Sequence, residues 1–122
     1  MAAYAWALPV KDKERGMKLI EELTAERGSE HHGRTREHGF SRLKIFRQDS
    51  PQEMVIVYAE APDVKGSLKS ASAAANEFDK WLHDTVEKVT GHNMGDLHRS
   101  GPMSQLLLDW HPEKGHSRTG HD

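Results

Sequence analysis

Cysteine is absent from the 122 residues, which removes disulfide frameworks, thiolate nucleophiles and cysteine-ligated zinc or iron–sulfur centres from consideration. A dominant charge is also missing: 17 basic against 19 acidic residues leave a formal charge of −2. That balance gives no electrostatic reason to expect nucleic acid or an anionic membrane as partner. No stretch approaches the roughly 20 apolar residues of a membrane-spanning helix. The opening MAAYAWALPVK has no basic region ahead of its short apolar run, so a secretory signal is not expected and a cytoplasmic protein is. Apolar residues are sparse as well, 35% against 30% charged, so a single copy builds only a modest core and self-association would enlarge it. Finally, no HExxH, GxSxG, P-loop or paired GxGxxG occurs, so the commonest nucleophile and phosphate devices are missing.

What is present is patterned. Residues 3–10 alternate, with Tyr4, Trp6 and Leu8 on one face and Ala3, Ala5 and Ala7 on the other, which predicts a strand. From Asp12 the spacing becomes helical, with Met17, Ile20 and Leu23 on one stripe and Gly28 as the expected stop. SRLKIFRQ and MVIVYAEA, joined by the turn DSPQE, predict a β-hairpin. Its second strand is apolar on both faces: Met54, Ile56 and Tyr58 on one, Val55, Val57 and Ala59 on the other. Leu68 to Ala75 reads as the first piece of a helical region. Phe78, Trp81, Leu82, Thr85 and Val89 then carry a long helix to Gly91. After a Gly-rich polar loop, QLLLDWH predicts a last short strand, and residues 112–122 a flexible tail beyond a single domain of residues 1–111.

The order β-α-β-β-α-β is that of an α+β ferredoxin-like domain, two helices on one face of a four-stranded antiparallel sheet. Helices cover only one face, so the two-sided strand 54–59 calls for a second sheet, which a homodimer packed sheet to sheet would supply. In this pattern the chain resembles the dimeric α/β-barrel superfamily. Its sharpest local piece, NEFDKWLHDTVEKVTGHNM, resembles the second helix of a family of small, uncharacterised bacterial proteins in that superfamily. The resemblance implies a cavity for a small organic ligand, and cofactor-free oxygenation, cyclisation or isomerisation as the type of chemistry. No cofactor is expected.

SEHHGRTREHGF, residues 29–40, concentrates three of the nine histidines. Imidazoles bind zinc, nickel or copper, and His31, His32 and His38 could meet His83 or His92. No two histidines are spaced i, i+4 on a predicted helix, however, so the stretch reads as a polar connection rather than a metal centre. On that reading His31 and His32 stay in solvent, and replacing both with alanine changes stability by less than about 0.5 kcal/mol. His38, at the end nearest the expected barrel mouth, is the general acid–base candidate. Arg42 and Tyr58 complete the catalytic set, and Tyr4, Trp6, Phe46 and Trp110 are the candidate aromatic ligand contacts. Arg42 and Lys44 share a face with Phe46, and Gln105 shares one with Asp109, which would bring polar groups to the same space. Trp81 reads as helix packing, with Asp79 and Lys80 flanking it on the exposed side. Two alternatives stand beside a small-molecule enzyme: a non-catalytic dimerisation or ligand-sensing module, and a metal-binding protein using the histidine-rich loop.

Overall fold

Strand β1 (Ala2–Pro9) and strands β2 (Arg42–Gln48) and β3 (Met54–Ala61) form the antiparallel sheet β1-β3-β2 in the computed structural model, which describes residues 2–96 and 106–118. Register fixes its faces. Trp6 pairs with Val57, Leu8 with Val55, and Leu43 with Ala59, so these residues point to the same side. On the opposite side Ala5 pairs with Tyr58, Ala7 with Ile56, and Arg42 with Glu60.

Among the described residues four α-helices accompany the sheet: α1 (Lys13–Thr24), α2 (Gly28–Glu37), α3 (Val64–Ser72) and α4 (Glu77–Thr90). Asp12, Asp63 and Asn76 cap α1, α3 and α4, each accepting a backbone N–H of the first turn. Gly91 ends α4 in the left-handed conformation at φ 79°, which glycine adopts without penalty, and its N–H closes on Glu87 O at 2.7 Å. Among the described residues no helix is long and apolar enough to cross a membrane.

The chain is therefore α+β, as expected, but among the described residues its main sheet has three strands and not the four of the expected ferredoxin-like arrangement. Helix α1 ends at Thr24, and Gly28 starts a new helix instead of stopping the first. The histidine-rich stretch expected as a connection is α2 over most of its length. Leu108–His111, expected as a fourth strand of the main sheet, is β4 of a separate two-stranded sheet with β5 (Gly115–Arg118). The expected tail thus contributes residues 115–118 to that hairpin, while residues 119–122 and Gln105 lie outside the described residues.

Candidate functional site

The apolar side chains fall into two groups. Trp6, Leu8, Ala59, Ala61, Val64 and Leu68 pack between the sheet and α3, and Leu19, Leu23 and Phe78 pack between α1 and α4 with Trp81, Leu82 and Val86. Between the groups lies a cavity of about 570 Å3, bounded by Trp6, Leu8 and Val57 on one side and Leu19, Phe78 and Leu82 on the other. That volume suits a small organic ligand, for which sites span roughly 300–1,000 Å3.

One end of the cavity is polar, and α2 makes much of it. His31, Arg34, Thr35 and His38 occur at i, i+3, i+4 and i+7, so a single helical face presents all four to the cavity. The start of α2 is fastened by Arg27, whose guanidinium lies 5.0 Å from the Phe78 ring centroid and 4.3 Å from that of Trp81. The same guanidinium donates to Glu30 and Glu77, each at 2.8 Å. From α4 come Asp79 and His83, one turn apart.

Asp79 organises this end. The Asn76 cap accepts the Asp79 N–H at 2.9 Å and so places the carboxylate in the first turn of α4, where the helix dipole favours negative charge. Only 3% of its side chain is exposed. Arg34 meets it bidentately, Nε donating to Oδ1 at 3.1 Å and Nη2 to Oδ2 at 2.7 Å, while Nη1 donates to Glu37. Burial alone would push the Asp79 carboxyl up. The hydrogen bonds and charge of Arg34 outweigh it and hold the group below its usual range.

His38 sits between Ser70 and Asp79, with Nδ1 2.6 Å from Ser70 Oγ and Nε2 3.5 Å from Asp79 Oδ2. Burial lowers its pKa, with the Asp79 charge opposing, so the ring is neutral at pH 7 and able to take a proton. His31 is lowered too, by burial and then by His32. His83 Nε2 faces Ala71 O at 2.7 Å and donates to it, which leaves Nδ1 as an acceptor. Among the described residues no three histidine or acidic groups are placed to hold a metal ion.

The candidate catalytic set does not converge. His38 lines the cavity with Asp79, whereas register puts Arg42 and Tyr58 on the other face of the sheet. There Tyr58 donates its hydroxyl to Glu60 at 2.6 Å, and Arg42 lies 3.9 Å from the same carboxylate. That hydrogen bond, with burial and the Glu60 charge, pushes the Tyr58 phenol up to about 12, so it stays protonated at neutral pH. Of the aromatic candidates, Trp6 lines the cavity and Tyr4 packs edge-on against it at 5.5 Å. Phe46 borders the cavity at the end of β2 but is 52% exposed, and Trp110 is 57% exposed on the β4–β5 hairpin.

Two expectations about polar residues are overturned. Asp79 is buried, not on the exposed side of α4, because Arg34 compensates its charge. His31 is half-buried, not in solvent, because α2 turns it inward to within 6.4 Å of the Phe78 ring, while His32 on the outer side is exposed. Replacing His32 with alanine should therefore alter stability by less than about 0.5 kcal/mol, and replacing His31 should cost about 1 kcal/mol, both read by urea unfolding. Equal effects would contradict the facing of α2.

A pH dependence follows from the same burial. His31 and His38 have folded-state pKa values below the usual 6.5, so the unfolded chain binds protons first. The stability they contribute is complete above 6.5 and is lost as the pH falls through the folded values. Melting temperature should drop between pH 7.5 and 5.5, and less so in a His31→Asn/His38→Asn variant; an identical drop in that variant would place the titration elsewhere. Asp79 adds a second loss at lower pH, below its usual 3.8. Comparison with protein-family models, curated proteins and solved structures finds no match for this chain.

Proposed function

We propose that the chain binds a small organic molecule in the cavity between its sheet and helices, and that His38 acts on it as a general base. The observation carrying this reading is the placement of a neutral imidazole, 9% exposed, beside a buried carboxylate at the polar end of a ligand-sized apolar cavity. The Asp79 carboxylate favours the N–H on Nε2, which faces Oδ2, so Nδ1 carries the lone pair beside the Ser70 hydroxyl, and a proton taken up at Nδ1 leaves an imidazolium that Asp79 offsets. Removal of a proton beside a carbonyl or from a phenol is the first step shared by isomerisation, cyclisation and cofactor-free oxygenation. Any of the three fits such a base.

The wider architecture in this proposal is a ferredoxin-like unit that pairs with a second copy to form a dimeric α/β barrel. The support is the order β1-β3-β2 and the outer sheet face, where Ala5, Ala7, Ile56 and Tyr58 neighbour the exposed Phe46. Sedimentation at micromolar concentration should give a dimer that Phe46→Asp weakens; a wild-type monomer would remove this part of the proposal. A second, non-catalytic reading has its own support, since both His38 nitrogens already face partners within the fold.

2-Tetralone, a flat ketone with exchangeable α-protons, separates the two. Its binding can be followed by tryptophan fluorescence and its exchange in D2O by NMR. Catalysis predicts exchange faster than buffer that is lost in His38→Asn while binding persists. Binding without acceleration would leave only ligand sensing, and undiminished binding in Leu82→Trp, which crowds the cavity, would sink the site itself.

A further inference from the structure

Among the described residues, every lysine, arginine and carboxylate lining the cavity already has a partner of opposite charge, and this bears on what the cavity admits. Its only lining lysine and arginines among the described residues are Lys13, Arg34 and Arg47, and its only lining carboxylates are Asp79 and Glu53. Arg34 is spent on Asp79 and Glu37. At the other end Lys13 lies 3.7 Å from Glu53, and Arg47 lies 2.8 Å from Asp49 and 3.6 Å from Glu53.

We infer that the cavity is selective for an uncharged ligand, one with an apolar body and a carbonyl or hydroxyl at its polar end, and that Asp79 is the residue that sets this selectivity. The inference rests on the small-molecule reading above. An anionic ligand would have to be desolvated against apolar walls, then either displace Asp79 from Arg34 or remain uncompensated. A cationic ligand finds, among the described lining residues, no carboxylate that is not already held by a lysine or arginine. An uncharged oxygen meets neither obstacle. The Thr35 hydroxyl and His83 Nδ1, both at the cavity wall, can give and take its hydrogen bonds. His31 and His38 add no fixed charge at neutral pH, since burial holds both below 6.5.

The test compares 2-naphthol with 2-naphthoate at pH 7.5, two probes of the same ring system that differ in charge. Wild-type protein should bind 2-naphthol at least tenfold more tightly, by fluorescence titration. Asp79→Asn keeps the shape and one acceptor oxygen but removes the buried carboxylate, leaving Arg34 only the exposed Glu37 as ionic partner, and should narrow or invert that ratio by at least tenfold. Glu37→Gln, at an exposed partner of the same guanidinium, should narrow it less. Naphthoate binding as tightly as naphthol to wild type would overturn the inference while leaving the small-molecule reading intact, as would an unchanged ratio in Asp79→Asn with its fold intact by circular dichroism. Binding of neither probe would count against both.

Discussion

Replacing Arg34 with methionine is expected to destabilise the fold by about 3–5 kcal/mol, the usual cost of removing one partner from a buried ion pair. Methionine fills much of the volume of the arginine stem but leaves Asp79, 3% exposed, without the two hydrogen bonds that hold it ionised. The reverse change is milder. Asp79→Asn leaves Arg34 with an amide oxygen, the Glu37 carboxylate and 19% of its side chain exposed, so about 1–3 kcal/mol is expected. Arg34→Met combined with Asp79→Leu should recover part of the loss, since no buried charge is left alone. Urea unfolding of the three variants checks the order. A cost below about 1 kcal/mol for Arg34→Met would mean that Asp79 finds water or another partner.

Phe78→Ala should be comparably severe, about 3–5 kcal/mol for a buried phenylalanine. The ring is 3% exposed and is shared by five neighbours: Leu19 and Leu23 of α1, Trp81 at 5.6 Å, Arg27 just ahead of α2, and His31 of α2. Its loss would enlarge the cavity and remove the apolar seat of α2 together. Phe78→Leu, which keeps most of the volume, should cost markedly less, and the two variants measured by thermal and urea unfolding separate packing from aromatic contact. Equal losses would show that the stacking of Arg27 and His31 on the ring dominates.

These two residues also mark where the sequence is transparent and where it is not. Phe78, Leu82 and Val89 announce α4 because apolar residues recur at helical spacing, and Gly91 announces its end. Tyr4, Trp6 and Leu8 announce the inner face of β1 in the same way. Helix α2 has the same periodicity, i, i+3, i+4 and i+7, written in His31, Arg34, Thr35 and His38, and polar side chains in such a pattern read as a solvated connection. What turns them inward is Asp79, 45 residues beyond Arg34, and no local pattern discloses so distant a partner. The fate of β4 is similar. LDWH looks the same whether it joins the main sheet or pairs with its own successor, and only the pairing with Gly115–Arg118 distinguishes them. Arg42 and Tyr58 were separable from His38 only once register assigned them to opposite sides of the sheet.

Helix α2 has no buried residue of its own. It can lift from the body without uncovering the sheet core, losing the Arg34 and His38 contacts, the Arg27 stack and the cover over Phe78. Its local opening free energy should accordingly lie well below that of the sheet and α4, so its amides exchange with solvent hydrogen ahead of theirs. Because α2 walls the polar end of the cavity, the same partial unfolding event would open a route for ligand exchange and couple occupancy to helix protection, each rising with the other.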